Sequence, residues 1–323
     1  MTRTRLYRGG VLESENFPLG DIPGLITAPD VTLWVDLCAP GAAELAIVSD
    51  AFGLHHLAVE AATHEHQRPK LDRCDNHLIL GAYAVRLDVP SGRLETCAIA
   101  AFITRNTLLT VHSSDRFDID AVVARWDDSP DLARHGVGIL LYGLLDYIVD
   151  THFTAVQILD DEIEALEDLL FARTPRARSV QLRSFRLRKS LVRFRRVVLP
   201  MREVVNSLLR RDLHLLDEAM TPYYQDVYDH VLRVSEWTEN LREMVSAVLD
   251  TNLSLQSNRL NIITKQVTSW AAIIAVPTAI TGFYGQNVPY PGYQSPWGFY
   301  TSTGAILIIS GVLYLLFRRR GWL

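Results

Sequence analysis

The sequence contains little cysteine and none of the common catalytic motifs. Among 323 residues the only cysteines are Cys38, Cys74 and Cys97, and no two of them have C-x-x-C spacing. We therefore expect neither a disulfide framework nor a cysteine-ligated zinc site, and a reducing compartment fits the composition. A G-x-S-x-G elbow, a Walker-type loop, a G-x-G-x-x-G fingerprint and the protein-kinase motifs are all missing. The sequence thus predicts that the protein is not an enzyme.

An excess of basic residues is also missing. Lys and Arg number 32 against 37 Asp and Glu, and the net charge is −5. A dedicated nucleic-acid binder usually carries a basic excess, so no nucleic-acid partner is expected. The first ten residues hold no apolar run, so no signal peptide is expected there.

Charged residues are absent from most of the C-terminal part. Residues 266–317 contain no Asp, Glu, Lys, Arg or His. Two apolar stretches lie within them, from about Val267 to Tyr284 and from about Phe299 to Phe317. Each is close to the ~20 residues that cross a ~30 Å hydrocarbon core. The pattern predicts a helical hairpin through a membrane. A buried hairpin in a soluble protein is the alternative, but so long a charge-free stretch would be unusual there.

The basic residues around this hairpin predict its orientation. Arg259 and Lys265 precede the first apolar stretch, residues 318–320 are three arginines after the second, and the connecting loop has no basic residue. The positive-inside rule then places both termini in the cytosol and the loop outside the cell. We expect a multi-pass protein of the cytoplasmic membrane, in contact with membrane lipid.

Glycine is missing between Leu144 and Thr281, and proline is rare there. Long helices between the prolines are expected over residues 136–172, 176–199 and 201–221. A last helix is expected to begin after Pro222 and to continue into the first membrane span.

The residues before about 135 are mixed α/β in pattern. Strands are predicted there at 31–37, 77–87, 97–104 and 107–112, helices at 41–52 and 56–63, and a turn at 89–93.

These features predict the following order of segments. They are a cytosolic α/β domain (1–135), long cytosolic helices (136–221), a stalk helix (222–265), a first, pore-lining membrane helix (266–285), an external loop (286–297), a second membrane helix (298–317) and a basic cytosolic tail (318–323).

The stalk helix carries a seven-residue apolar repeat, which is typical of a coiled-coil seam. A long exposed helix cannot bury such a stripe by itself, so it packs against its own chain, against copies of the chain, or against both. Self-association is therefore expected. The repeat consists of Val227, Val234, Leu241, Val248, Leu255 and Ile262, with Val231 and Val245 as companions.

The first membrane span and the start of the loop contain the candidate transport residues. The span has a small, weakly polar stripe that either lines a pore or packs against another helix. Two uncharged amides follow a glycine at the outer end, and their oxygens could surround a hydrated cation such as Mg²⁺. Alternatively, the glycine ends the helix and the amides face water. The stripe is Thr264, Thr268, Ala271, Ala275, Thr278 and Gly282, and the outer group is Gly285, Gln286 and Asn287.

Two other clusters have simpler interpretations. Acidic residues between Asp160 and Asp168 and basic residues between Arg173 and Arg202 fit two oppositely charged helices side by side, or two solvated faces. Four histidines, His55, His56, His64 and His66, lack the spacing of a known zinc motif, and the sequence leaves open whether they bind metal.

Several motifs in the same order resemble the CorA family of divalent-cation channels, from about Trp34 to Leu323. The segments that carry the resemblance are Trp34–Leu37, Leu57–Glu60, Gln67–Lys70, Pro222–His230, Ser257–Asn261, Tyr284–Asn287 and the terminal Trp322–Leu323.

The resemblance implies a homopentamer in which five first spans line the pore, with Asn261 and the stripe facing it. Gly285, Gln286 and Asn287 would form the outer ion-binding ring. Two carboxylates, Asp88 and Asp226, correspond to a cytosolic site where bound Mg²⁺ holds the channel closed. Mg²⁺ is thus expected to be both the transported and the regulatory ion.

The chain also departs from the family pattern. Gln286 replaces the usual methionine of the triplet, and Thr264, Val267 and Ala275 stand where the family often has Met or Leu. The departures indicate a wider or wetter constriction and put strict Mg²⁺ preference in question. The ZntB branch, which moves Zn²⁺, also lacks the strict triplet, whereas the run from Asp226 to His230 looks like the Mg²⁺/Co²⁺ branch.

We expect a channel for Mg²⁺, with Co²⁺ and Ni²⁺ as further ions. The alternatives are a Zn²⁺ transporter, a membrane-anchored sensor or scaffold without transport and, more remotely, a membrane-anchored enzyme.

Overall fold

The computed structural model describes most of the chain in two compact units, Met1–Val248 and Leu249–Leu323. The described residues are 2–28, 30–54, 68–74, 76–128, 134–171, 177–210, 217–286, 289 and 292–323.

Seven strands of the first unit form one sheet in the order β2-β1-β3-β7-β6-β5-β4. The strands are β1 (Thr2–Arg8), β2 (Val11–Glu15), β3 (Val31–Cys38), β4 (Lys70–Arg73), β5 (Leu78–Asp88), β6 (Arg93–Ile103) and β7 (Thr107–His112). Strands β3 and β7 run parallel at the centre, and the other neighbouring pairs are antiparallel. The four predicted strands are confirmed, although β6 begins four residues earlier than expected. Strands β1, β2 and β4 were not predicted, because short or exposed strands have no clear apolar alternation.

Strands β5 and β6 form a long hairpin whose turn was predicted from the sequence. The pairing runs from Leu78 opposite Ile103 to Asp88 opposite Arg93. Gly92 closes the turn with φ +63°, a left-handed conformation that glycine adopts without strain. Asp88 therefore lies at the tip of the hairpin, where β5 ends.

Seven α-helices in the described part of the chain accompany the sheet or follow it. They are α1 (Ile22–Leu25), α2 (Ala42–Phe52), α3 (Ile119–Asp127), α4 (Val137–Phe171), α5 (Ala177–Leu209), α6 (Thr221–Tyr284) and α7 (Pro296–Arg319). One face of the sheet packs on α1 and α2, and the other packs on α3 and α4. The helices predicted at 41–52 and 136–172 are confirmed, α3 was missed, and the helix predicted at 56–63 lies outside the described residues.

Within the residues that the structure describes, three helical segments are long and apolar enough to cross a membrane: α4, Glu218–Tyr284 and α7. They differ in burial. Of the most apolar 18 residues of each segment, 61% are buried in α4, 6% in Glu218–Tyr284 and 0% in α7. The apolar side chains of α4 thus belong to the core of the first unit. The other two segments contain the two predicted spans and keep their apolar surface exposed.

The helix break predicted at Pro200 is wrong. Residues 176–199 and 201–221 were expected to be separate helices, but α5 runs from Ala177 to Leu209 with Pro200 inside it. A proline in a helix interior costs about 3 kcal/mol, because one backbone hydrogen bond is lost and the ring crowds the preceding turn. Burial of the apolar side chains on both sides of Pro200 offsets this cost, since each buried side chain stabilises the fold by about 1.5–3 kcal/mol. The buried neighbours are Val197, Val198, Met201, Val204 and Val205.

The seven-residue repeat of α6 is buried in its first part only. Its members from Val227 to Val248 are buried, and the Tyr224 hydroxyl donates to the Gly138 carbonyl of α4 at 2.9 Å. Further along, Leu255 is 43% exposed and Ile262 is 50% exposed. Packing against the same chain is therefore confirmed for the first part. Packing against copies of the chain stays a prediction for the second.

The acidic part of α4 and the basic part of α5 lie side by side, as one of the two interpretations predicted. The Arg183 guanidinium donates to the Glu162 carboxylate at 2.6 Å, which joins the two helices. The helix pair is thus held by opposite charge as well as by its buried side chains.

A buried polar network joins the ends of β3 and β7. His112 and Asp36 are both 2% exposed at their side chains, and His112 Nε2 lies 3.1 Å from Asp36 Oδ2. His112 Nδ1 lies 2.7 Å from the Ser114 carbonyl, and the Thr110 hydroxyl donates to the same Asp36 carboxylate. Both ring nitrogens of His112 face acceptors, an arrangement that favours the doubly protonated, charged ring.

This network predicts a stability that falls as pH rises. Burial opposes the charge of His112 most strongly, but the hydrogen bond to Asp36, its charge and the Ser114 carbonyl together raise the pKa of His112. The stabilisation is therefore complete below the ordinary histidine pKa of ~6.5 and is lost as pH rises through the raised value. Between about pH 6 and 9 the thermal unfolding midpoint of wild type should fall. In His112→Gln it should fall less over the same range.

Circular dichroism of the detergent-solubilised chain would measure both slopes. Equal pH dependence in wild type and His112→Gln would contradict a protonated His112. His152 provides a comparison on the acid side, because burial lowers its pKa to about 4 although its ring contacts the Tyr83 carbonyl. In wild type, stability should fall as pH drops below ~6.5, because the unfolded chain then binds a proton that folded His152 does not. Replacing His152 should remove this fall, while the lost buried contacts lower stability at every pH.

Candidate functional site

The last part of α6 carries the side chains predicted to line an ion path. They follow one another in alternating steps of three and four residues, so they lie on one face of the helix. All of them are exposed: Asn261, Thr264, Thr268, Ala271, Ala275, Thr278 and Gly282. The fold of the second unit thus leaves the predicted stripe uncovered.

A different side of the same helix is the covered one. Ser269 is buried, and Ala272, Ile273, Val276 and Ile280 are half-buried. At 100° per residue the centre of this covered side lies roughly 125° around the helix from the centre of the stripe. In the described part of the second unit α7 is the other helix, so it is the element available to cover them. The covered positions therefore lie on a different face from the stripe.

Hydroxyl groups in this segment bond to the helix backbone. The Thr278 hydroxyl donates to the Ile274 carbonyl at 3.0 Å, and the Thr281 hydroxyl donates to the Pro277 carbonyl at 2.8 Å. A hydroxyl whose hydrogen is used in this way still has oxygen lone pairs to offer. Thr278 consequently presents an acceptor on the stripe, which suits a cation or the water around it.

Gly285 ends α6 at the start of the loop. Its amide donates to the Thr281 carbonyl at 2.8 Å, and a Cβ at this position would lie only 3.0 Å from that carbonyl oxygen. Gln286 is exposed, while Asn287 lies outside the described residues. The glycine thus ends the helix, as one interpretation predicted. The outer ring formed with the two amides stays a prediction.

Two glycines that the sequence did not single out shape the start of α7. A Cβ on Gly298 would lie 2.7 Å from the Gly292 carbonyl oxygen, and Gly292 itself has φ +95°. The two backbones therefore approach more closely than any side chain would allow. In the sequence, this close approach is indicated only by the two glycines themselves, which stand six residues apart next to the second apolar stretch.

The two predicted regulatory carboxylates lie at different places in the first unit. Asp88 is half-buried and accepts a hydrogen bond from the Ser91 hydroxyl. Asp226 is exposed on α6, with Oδ2 3.5 Å from His230 Nδ1. Within the described part of one chain no hydrogen bond or ion pair joins Asp88 to Asp226. Their predicted pairing runs between copies of the chain and stays a prediction.

The surroundings of Asp226 are more acidic than its own sequence neighbours indicate. Burial, followed by the charges of Asp146 and Asp226, raises the pKa of Tyr142 to about 12. Burial also raises the pKa of Asp146, although Arg125 bridges it to Asp150. Sequence reasoning missed this cluster, because α4 and α6 are far apart along the chain.

The described residues of one chain do not form a complete metal site. Among the described residues no group of three or more His, Cys, Asp and Glu side chains is placed to hold a metal ion. The histidine cluster at 55, 56, 64 and 66 lies outside those residues, so its role stays open. A site assembled from several copies is consistent with this finding.

Comparisons with known proteins agree with this geometry. A family model described as "CorA-like Mg2+ transporter protein" matches residues 29–319. The cobalt/magnesium transport protein CorA of Thermotoga maritima is 32% identical over 85% of this chain and 79% of its own length. The putative metal ion transporter YfjQ of Bacillus subtilis is 30% identical over 92% of each chain.

A solved structure extends the likeness to the whole chain. The complete structure of the CorA magnesium transporter from Methanocaldococcus jannaschii superposes with a TM-score of 0.80 and 26% identity. The match covers 99% of this chain and 98% of that one. It includes the α/β unit, the long helix and the apolar C-terminal helices.

Proposed function

The chain belongs to the CorA-like Mg²⁺ transporter family, whose members transport divalent cations, and from this premise we propose that it conducts Mg²⁺ through a pore lined by copies of α6. The pore is formed by five copies in the cytoplasmic membrane, with Co²⁺ and Ni²⁺ as further permeant ions. The observation that carries the proposal is the exposed, uncharged stripe from Asn261 to Gly282, on a different side of α6 from the residues that its own unit covers.

The stripe suits ions that keep their water. Mg²⁺ gives up its hydration shell reluctantly, so a wide path lined by small side chains and hydroxyl oxygens lets it pass as a hydrated ion. Alanine and threonine at Thr268, Ala271, Ala275 and Thr278 leave this room. At the outer end Gly285, Gln286 and Asn287 of each copy form a ring of backbone and amide oxygens.

Assembly from copies is supported by the second part of the α6 repeat. Leu255 and Ile262 are exposed apolar residues on a seven-residue period, and such a stripe is stable in water only against another helix. Copies around a rotation axis would cover these residues and turn the stripe of the spanning segment toward the axis. Five copies are the number that the family resemblance implies.

The test of transport is metal flux into liposomes that contain the purified chain. An enclosed metal-sensitive dye would compare Mg²⁺, Co²⁺, Ni²⁺ and Zn²⁺, each with and without a pH gradient. Entry of Mg²⁺ without a pH gradient is expected. Flux confined to Zn²⁺ and dependent on the gradient would favour a ZntB-type transporter. Absence of flux for all four metals would favour a membrane-anchored sensor or scaffold.

The orientation follows from the basic residues that flank the spans. Lys265 lies just before the first span, and Arg318 and Arg319 end α7. We expect both termini in the cytosol, so a C-terminal tag should be inaccessible to antibody in intact cells and accessible after permeabilisation. Labelling of the tag in intact cells would contradict this topology.

Closure by cytosolic Mg²⁺ is assigned to carboxylates between subunits. Asp226 of one copy and Asp88 of the next repel at close range, and a bound divalent cation converts the repulsion into attraction. The cation stabilises the closed state only to the extent that it binds this state more tightly. Asp226→Asn should therefore raise the Mg²⁺ concentration that halves the flux, and adding Asp88→Asn should raise it further.

Flux at graded Mg²⁺ on the cytosolic side would measure this shift. Glu236→Gln on the same helix is a suitable control, because it also removes one exposed carboxylate from α6. Inhibition of the double variant at wild-type Mg²⁺ concentrations would place the regulatory site elsewhere. In that case Asp226 is an ordinary solvated residue of the stalk.

A further inference from the structure

A cleft of about 430 Å³ opens between the β5–β6 hairpin and α4 in the first unit. The segment at 116–118 closes one side of it. This volume is within the range of pockets that bind small molecules. The cleft does not include any residue of the membrane spans, and neither of the predicted regulatory carboxylates lines it.

The inner part of the cleft is apolar. Ala84 and Cys97 are paired across the hairpin and form the floor together with the buried Ala155. Phe117 and Tyr147 form an aromatic wall, with ring centroids 5.5 Å apart. A flat or branched apolar group would therefore find a lining that matches its surface.

The mouth of the cleft carries two arginines and two carboxylates, Arg86, Arg116, Glu95 and Asp118. Arg86 and Glu95 face each other across the hairpin, and Arg116 Nη1 lies 3.6 Å from Glu95 Oε2. Among the described residues no side-chain hydrogen bond or ion pair engages the Arg86 guanidinium. The Arg116 side chain is 68% exposed, and a surface ion pair of this kind contributes only about 0–1 kcal/mol. Two guanidinium groups are thus available at the mouth.

The other carboxylate at the cleft, Asp118, caps a helix. Its Oδ1 accepts a hydrogen bond from the Ala121 amide at 3.1 Å at the start of α3. Asp118 keeps its negative charge, but it lies at the positive end of the α3 dipole, which offsets part of that charge. Arg86 therefore remains the guanidinium at the mouth with a free set of donors.

We propose that this cleft binds a small organic anion. An aromatic or branched apolar body occupies the space between the hairpin and α4, and a carboxylate or phosphate group is held by Arg86 and Arg116. Guanidinium groups bind both anions through paired N–H donors, and Arg86 needs no existing partner to be displaced. The cleft thus makes the cytosolic unit a receptor for an anionic metabolite, independently of ion conduction.

Isothermal titration calorimetry of the full chain in lipid nanodiscs would test this binding, with empty nanodiscs as the blank. The probes are 1-naphthyl phosphate, 1-naphthoate, 1-naphthol and inorganic phosphate. We expect one or both naphthyl anions to bind at least ~10-fold more tightly than naphthol or phosphate, since an apolar body and a charge are both required. The better of the two anions identifies the head group as phosphate or carboxylate.

Two variants test the charged mouth and the apolar interior of the cleft separately. Arg86→Gln should weaken binding of the anion at least ~10-fold, because a charge-assisted hydrogen bond is lost. Thr154→Trp should abolish binding by filling the cleft from an exposed position of α4. Arg93→Gln is the matched control, since Arg93 is an exposed arginine of the same hairpin that does not line the cleft. It should bind like wild type.

Several results would overturn the proposal. Binding of none of the probes would do so, as would equal affinity of Arg86→Gln and wild type. Naphthol binding as tightly as the anions would show that the arginines do not take part. A change in subunit number caused by Thr154→Trp, measured by mass photometry, would show that another copy of the chain occupies the cleft. None of these results depends on whether the nanodisc protein conducts metal.

Discussion

Mg²⁺ flux through the reconstituted protein is expected to fall at least ~10-fold when Asn287 is replaced by alanine. In a ring, one substitution removes an amide from every copy at once. Each hydrogen bond that an amide oxygen accepts from the water of a hydrated ion contributes about 0.5–1.5 kcal/mol, so losing several exceeds the 1.4 kcal/mol that corresponds to a tenfold change. Gln286→Met should instead change the order of preference among Mg²⁺, Co²⁺, Ni²⁺ and Zn²⁺.

A matched control for this substitution lies in the same loop. Gln294 also carries an amide, and its φ of +62° suits glycine, so Gln294→Gly removes the amide without backbone strain. This variant should conduct like wild type. Size-exclusion chromatography would establish that all variants assemble. Wild-type flux in assembled Asn287→Ala would rule out the ring.

The second large effect is expected at the middle of the first span. Ala275 lies on the exposed stripe of α6, and Ala275→Phe would place one phenyl ring per copy around the same axis. A narrow hydrophobic ring of this kind excludes water and therefore hydrated ions. Flux of every permeant metal should fall at least ~10-fold, without a change in their order.

The neighbouring residue supplies the control for this substitution. Ile274 is 63% exposed but points about 100° away around the helix. Ile274→Phe exchanges one apolar side chain for another away from the proposed path, so its flux should stay near that of wild type. Block by Ile274→Phe together with free conduction by Ala275→Phe would mean that the pore-lining face is misassigned.

The parts of the fold that the sequence predicted have strong local signals. The run from Val31 to Cys38 consists mostly of apolar and β-branched residues and forms a central strand, and Gly92 marks the hairpin turn. Pro200 shows the limit of such signals. Its local preference for a helix end is overridden by buried neighbours on both sides, and these contacts come from elsewhere in the chain.

The candidate sites also differ in how far the sequence could predict them. The stripe of α6 could be predicted, because a single helix with a regular period carries all of its residues. The cleft could not, since Arg86, Arg116 and Tyr147 come from a strand, a loop and a helix that only the tertiary fold brings together. The pairing of Asp88 with Asp226 needs more than one copy, so it remains to be tested by mutation.

The exposed second part of the α6 repeat has a genetic consequence. In the proposed assembly, copies join along Leu255 and Ile262 and share one conduction path, so a single defective copy would affect the whole assembly. A cell that makes wild-type chain together with an assembling but non-conducting variant would contain few assemblies made of wild-type chain alone. Such variants should therefore be dominant, whereas variants that break the α6 contact and fail to assemble should be recessive.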